Sequence, residues 1–136
     1  MLEFSQAEFL GSEEFIASGL ADSGWIFIPE ACQQKRCKLH VAFHGCRQSA
    51  AEQDQNSLLF YQATGYNTVA KNNDIIVLYP QIREMDTMDS LSDTPYNPRG
   101  CWDFWGYSGE NYYNRESIQG RAIMAMVQRL ISTREN

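Results

Sequence analysis

Apolar and polar positions along the chain fall into a few patterns, and each predicts an element. Gly24 introduces WIFIP, residues 25–29, aromatic and β-branched side chains closed by proline, which predicts a strand. KLHVAF, residues 38–43, predicts a second strand, and the eight-residue connection between the two favours an antiparallel hairpin. From about Ser57 to Asn72, the positions Leu59, Ala63, Tyr66 and Ala70 share one face at helical spacing; Gly65 interrupts the segment, and Asn72, Asn73 and Asp74 stop it. IIVLYP, residues 75–80, is continuously apolar between turn residues, the pattern of a strand covered on both faces. Residues 38–79 therefore read as β-α-β with parallel strands and a right-handed crossover. Ile118, Ala122, Met126, Val127, Leu130 and Ile131 mark one stripe of an amphipathic helix running to about Thr133.

Two regions do not fit that scheme. Residues 1–24 carry Phe4, Phe9, Phe15, Ile16 and Leu20 without a sustained period, which reads as mostly coil with a short helical turn. Residues 81–114 form a long irregular stretch holding Met85, Met88 and the segment GCWDFWGYSGENYY; loops of that length inside compact domains tend to be functional. The fold class is α/β. Three strands and two substantial helices cannot cover both faces of a sheet in which KLHVAF and IIVLYP both look buried, so the missing layer is expected to come from elsewhere.

Composition narrows the function classes. With 136 residues, 43% of them hydrophobic and 21% charged, the chain has the balance of one soluble globular domain, residues 1–136. A net charge of -6 and a pI near 4.8 disfavour a nucleic-acid partner, because phosphate binding rests on clustered Lys and Arg. No apolar run approaches the roughly 20 residues of a membrane span. The N-terminus, MLEFSQAEFLGSEEF, lacks the basic leader and apolar core of a signal peptide. The four cysteines nevertheless sit in ACQQKRC, HGC and GCW, spacings that suit disulfides better than zinc and point to an oxidising compartment, extracellular or periplasmic. Met1 is then not expected to be the natural start.

A six-residue strand spans on the order of 20 Å, so Cys37 and Cys46, at opposite ends of KLHVAF, cannot pair. Cys46 and Cys101 lie at the same edge, which makes Cys32–Cys37 and Cys46–Cys101 the preferred connectivity among three. That edge is also where ligands bind in open parallel sheets, beyond the carboxyl ends of the strands. There His44, Gly45 and Cys46 follow one another. A glycine turn after a strand aims the next amide, here that of Cys46, at a developing oxyanion; the plainer reading makes His44 a buried structural histidine and Gly45 a turn. G-x-S-x-G does not occur. GYSGE, residues 106–110, is the nearest string, and a pseudo-triad of Ser108, Asp103 and His44 lacks the strand-to-helix elbow that presents a nucleophile. Trp102, Phe104, Trp105, Tyr107, Tyr112 and Tyr113 crowd one loop, either as a satellite apolar cluster or as a wall for an apolar polymer.

Three segments in order, GWIFIPEACQQKRCKLHVAFHGCRQ, TGYNTVAKNNDIIVLYPQ and NPRGCWDFWGYSGENYYNRESIQGRAIMAMVQRL, resemble the extracellular poly(3-hydroxybutyrate) depolymerases and related polyester esterases, in the circularly permuted branch of the α/β-hydrolases. The resemblance covers the chain from about Gly19 onward and implies the carboxy-terminal, oxyanion-side part of a three-layer α/β-hydrolase sheet: an antiparallel hairpin, a β-α-β unit and a C-terminal helix. It implies a serine esterase acting on hydroxyalkanoate esters without a metal or other cofactor. His44, Gly45 and Cys46 then match the family's HGC motif, with the Cys46 amide as one oxyanion donor and Gln48 nearby, while Trp102, Trp105 and Tyr107 fall where the family lines its substrate cleft. The serine, aspartate and histidine of the family have no counterpart in these residues, and loss of the nucleophile alone lowers turnover on the order of a millionfold. The chain is therefore expected to be inactive alone, with the missing hydrolase half or self-association covering its open surfaces. The alternatives are a non-catalytic polyester-binding module and one chain of a split esterase.

Overall fold

The structure is a computed structural model that describes residues 1–50, 58–86 and 95–132. Ser57, Met88 and Thr133 lie outside the described residues. Four strands, β1 (Leu2–Ser5), β2 (Ser23–Phe27), β3 (Lys38–Val41) and β4 (Ile75–Tyr79), form one mixed sheet in the order β1-β2-β4-β3. The helices are α1 (Ser12–Ser18), α2 (Leu59–Ala63), α3 (Tyr66–Asn73) and α4 (Ile118–Ser132).

The expected hairpin between the second and third strands is not formed. β2 instead pairs antiparallel with β4, Trp25 opposite Tyr79 and Phe27 opposite Val77, and with β1 on its other side. Burial decided against chain proximity. β4 is apolar at every position and buried from Ile76 through Tyr79, so it takes the centre. β3 alternates exposed Lys38 and His40 with half-buried Leu39 and Val41, so it suits an edge, and the expectation that it is covered on both faces fails. The connection is occupied by a 3-10 turn at Glu30–Gln33 and the Cys32–Cys37 disulfide, Cα atoms 5.6 Å apart. The β-α-β unit is present: β3 and β4 run parallel, with His40 opposite Val77. Among the described residues its crossover contains two helices, broken at Gly65, whose φ of 85° is a left-handed conformation that favours glycine.

The layer expected from elsewhere is supplied by the N-terminal segment, which is neither coil nor a single turn. β1 extends the sheet, and α1 packs with α4 over one face around Leu20, Leu78, Ile82, Ala122, Ile123 and Met126. α2 and α3 cover the other face around Ala42, Tyr61, Ala70, Val77 and Tyr79. Two acidic residues, Glu13 and Glu14, stand in the first turn of α1, where they complement its dipole. α1 ends at Gly19, φ 70°, where an added Cβ would lie 2.7 Å from the Met85 side chain.

The irregular stretch is held by buried carboxamides, which both donate and accept where no ladder serves the backbone. Gln6 donates to the carbonyls of Ala21 and Gln81, at 2.7 and 2.9 Å, and accepts the Gln81 amide. Asn97 accepts the Cys101 amide and donates to the Cys101 carbonyl, at 3.0 and 2.9 Å. Gln119, on the buried side of α4, accepts the Asp103 amide and donates to the Ser18 carbonyl. Each is at most 7% exposed, so the loop is fastened from inside.

Candidate active site

At the carboxyl end of β3 the chain turns through His44, Gly45 and Cys46. The Gly45 amide donates to Gln48 Oε1 at 2.8 Å, and the Gln48 amide returns to the Gly45 carbonyl at 3.2 Å. A Cβ on residue 45 would lie 2.8 Å from Gln48 Oε1, so a larger residue there would push the Gln48 side chain off its bond to the amide of residue 45. The Arg47 amide donates to the Arg99 carbonyl, and Cys46 is bonded to Cys101 with Cα atoms 4.3 Å apart. The preferred disulfide connectivity is thus the observed one, and it joins the turn to the aromatic loop. Among the described residues, no acceptor meets the Cys46 amide.

His44 is 3% exposed and fully engaged. Its Nε2 accepts the Ile82 amide at 3.1 Å, which assigns the proton to Nδ1 and makes Nδ1 the donor to the Gly45 carbonyl at 2.7 Å. Burial holds the imidazole below its usual range against the opposing pull of that carbonyl. His44 therefore positions the turn. It is not available as a base, and the pseudo-triad is not assembled. Ser108 Oγ does donate to Asp103 Oδ2 at 2.7 Å, but both nitrogens of His44 are spent elsewhere. Ser49 is buried, with Oγ 3.4 Å from Gln81 Oε1.

Asp103 organises the loop. Burial raises its pKa, but the Ser108 amide and hydroxyl and the amides of Gly106 and Trp105 outweigh that and hold the carboxyl below its ordinary value. Tyr107 donates to the Cys101 carbonyl at 2.8 Å and accepts from Gln119, and burial pushes its phenol well up. Its ring stands 4.8 Å from that of Trp105, which in turn meets Phe104 at 4.7 Å. Phe104, Trp105 and Tyr113 are 70, 45 and 75% exposed, which leaves the outer part of the loop as an aromatic surface.

The rings in direct contact with the turn are others. Trp102 lies 5.6 Å from His44 and 4.9 Å from Phe43, and Phe60 lies 6.1 Å from His44. Trp102 therefore packs on the Phe43–His44 side of the turn and Gln48 closes the turn itself, whereas Tyr107 is tied to it through the Cys101 carbonyl and Trp105 through Tyr107. Phe43 and Phe60 were not singled out from the sequence; Phe43 ends an apolar strand run, and Phe60 lies one position off the helical stripe, so neither gave a signal. A cleft of about 360 Å³ opens beside the turn, lined by Arg47, Gln48, Leu59, Phe60, Ala63 and Thr64. Among the described residues, no cluster of three or more His, Cys, Asp or Glu side chains is arranged to hold a metal ion, and no helix is long and apolar enough to cross a membrane.

A mixed four-stranded sheet with helices on both faces and a glycine turn ending its parallel edge strand is the part of the poly(3-hydroxybutyrate) (PHB) depolymerase fold to which this chain corresponds. It superposes with a TM-score of 0.79 on a serine-to-alanine variant of a PHB depolymerase complexed with an R3HB trimer, and with 0.78 on the PHB depolymerase from Penicillium funiculosum. Both are 36% identical, with 96% of this chain and 40% of each of those chains covered. No protein-family model matches. In sequence, the chain is 38% identical over 134 residues to the poly(3-hydroxybutyrate) depolymerase of Delftia acidovorans and 35% identical over 135 residues to the polyhydroxybutyrate depolymerase of Talaromyces funiculosus. Over 96% of its length the chain is a homologue of the PHB depolymerases, and it spans 23% and 39% of the length of these two relatives.

Proposed function

We propose that the chain is the oxyanion-side part of a serine esterase that hydrolyses poly(3-hydroxybutyrate) or related hydroxyalkanoate esters, within a three-layer α/β-hydrolase sheet. The carrying observation is the Cys46 amide, which meets no acceptor among the described residues at the end of a parallel strand while its neighbours are committed: the Gly45 amide to Gln48 and the Arg47 amide to Arg99. Gln48 and Trp102 border the reacting ester, and Trp105 and Tyr107 extend an aromatic wall along the polymer. Such a donor stabilises the charge of a tetrahedral intermediate and contributes on the order of a hundred- to a thousandfold in turnover. The nucleophile comes from the other half. β3 is an edge strand, so a strand laid along it would lie about 4.8 Å away, close enough to deliver a serine beside the turn. Without that half the chain does not hydrolyse esters, and the same edge invites a second copy. The two disulfides fit an oxidising, extracellular or periplasmic setting.

The test is a chimera in which this chain replaces the homologous segment of the Delftia relative. Cys46→Ser and Cys46→Pro both remove the disulfide, but only proline removes the amide hydrogen. Hydrolysis of a neutral ester should fall about a hundredfold or more from serine to proline; equal rates in the two chimeras refute the oxyanion assignment. The exposed Phe104, Trp105 and Tyr113 favour a second reading, a polyester-binding module. Retention of the isolated chain on PHB granules, lost in Trp105→Ala, would support it, and no retention would remove it.

A further inference from the structure

The cleft beside the turn holds Arg47, a group for which the hydrolytic step has no use. Arg47 directly follows Cys46 and has a φ of 61°, a left-handed conformation that non-glycine residues seldom adopt. Its backbone is fixed on both sides, by the bond from its amide to Arg99 and by the adjacent disulfide. No carboxylate among the described residues lies within ion-pair distance of its guanidinium, although the chain is acidic and Lys35, Arg121 and Arg129 are each paired. Gln48 spends Oε1 on Gly45, and its Nε2 donates to no acceptor among the described residues. Facing them are Leu59, Phe60 and Ala63, an apolar wall. A cation on a held backbone and an amide donor thus line the cleft together with hydrocarbon, one residue from the proposed oxyanion donor.

We propose that this cleft binds the free carboxylate end of a short 3-hydroxyalkanoate oligomer, Arg47 taking the carboxylate and Leu59, Phe60 and Ala63 the alkyl side chains. The identity of the ligand rests on the esterase reading. In such an oligomer the alcohol side of the last ester carries the terminal carboxylate, about 5 Å from the scissile carbonyl carbon by ordinary bond lengths. Consecutive Cα atoms are about 3.8 Å apart, so the guanidinium of residue 47 reaches that carboxylate while the amide of residue 46 faces the carbonyl oxygen. Hydrolysis there takes up one water and releases a hydroxyacid with its carboxylate already on Arg47, together with the shortened acyl chain and a proton. The site selects acid-ended oligomers over blocked ones.

The experiment is a titration of the chain itself, followed by amide and guanidinium NMR, with the 3-hydroxybutyrate dimer as its free acid and as its methyl ester. At low salt the acid should bind about three- to tenfold more tightly, and that preference should shrink in 0.5 M salt (a test concentration), where charges are screened over about 3–5 Å. Arg47→Gln should abolish the preference, and Arg47→Lys should keep part of it, since lysine retains the charge without the planar fork. Equal affinities in the wild type, a preference that survives Arg47→Gln, or no binding of either ligand overturns the inference. The esterase reading fails on a different result, equal turnover of the serine and proline chimeras on a neutral ester.

Discussion

Replacing His44 by alanine would orphan the buried Ile82 amide, take one of two donors from the Gly45 carbonyl, which keeps the Gln48 amide, and open a hole between Phe60 and Trp102. An unsatisfied buried group costs about 1–3 kcal/mol and a lost hydrogen bond about 1 kcal/mol, so a loss of about 2–4 kcal/mol is expected, a large share of a typical domain's margin. Acid titration isolates the same interaction more cleanly. The folded imidazole is neutral because burial lowers its pKa from 6.5, whereas the unfolded ring titrates near that value. Below 6.5 the unfolded chain therefore binds a proton that the folded chain refuses. The contribution of His44 is complete above that pH and declines by up to about 1.4 kcal/mol per pH unit below it, until the folded ring is protonated. Urea unfolding of the wild type and His44→Gln from pH 8 to pH 5 (the assay range) separates this slope from every group that the two share, including exposed His40. The variant should be less stable at the alkaline end, and the gap should narrow on acidification. Parallel pH profiles, or ring nitrogen shifts placing the proton on Nε2, would refute the assignment.

Asp103→Ala should release the amides of Trp105, Gly106 and Ser108, raising their hydrogen exchange and lowering stability by about 1–3 kcal/mol. Because the folded carboxyl titrates below its usual 3.8, its contribution is present above that pH and is lost as the pH falls toward the folded value, so acid unfolding of the wild type should be steepest there. Cys46→Ser with Cys101→Ser opens a loop of 55 residues and should cost about 4 kcal/mol by chain entropy, against about 2 kcal/mol for the Cys32–Cys37 pair with its separation of 5; the reverse order in denaturant midpoints contradicts this. Gly19→Ala should destabilise by more than Gly65→Ala, since both have positive φ but only Gly19 has a neighbour, Met85, within 2.7 Å of the new methyl. Thermal melts that rank them the other way would count against the packing described around α1.

The β-α-β unit, the C-terminal helix and the disulfides were legible because each rests on local pattern or simple reach. The hairpin was misread because connection length is local evidence, whereas strand order is decided by which strand can be dry on both sides. β4 can, and β3, with Lys38 and His40 exposed, cannot. β1 was missed because its alternation spans only Leu2–Ser5, and α1 because Glu13 and Glu14 dilute its apolar face. At the site, the place of the His44–Gly45–Cys46 turn just beyond β3 was legible, but the contacts of His44 and Asp103 depend on partners up to 38 residues away and could not be read from spacing. Gln6, Gln81, Asn97 and Gln119 gave no signal at all. A glutamine in sequence is most often a surface residue, and only the fold reveals that these four replace a missing ladder.

One of those four is also shielded chemically. Asparagine side chains age by ring closure, in which the backbone nitrogen of the following residue attacks the carboxamide and expels ammonia, leaving an acid. Asn97 precedes Pro98, whose ring nitrogen carries no hydrogen to give up. That route to a stray negative charge, in the dry junction behind Cys101, is therefore closed by the neighbour's covalent structure, and the fastening of the loop should outlast ordinary protein ageing.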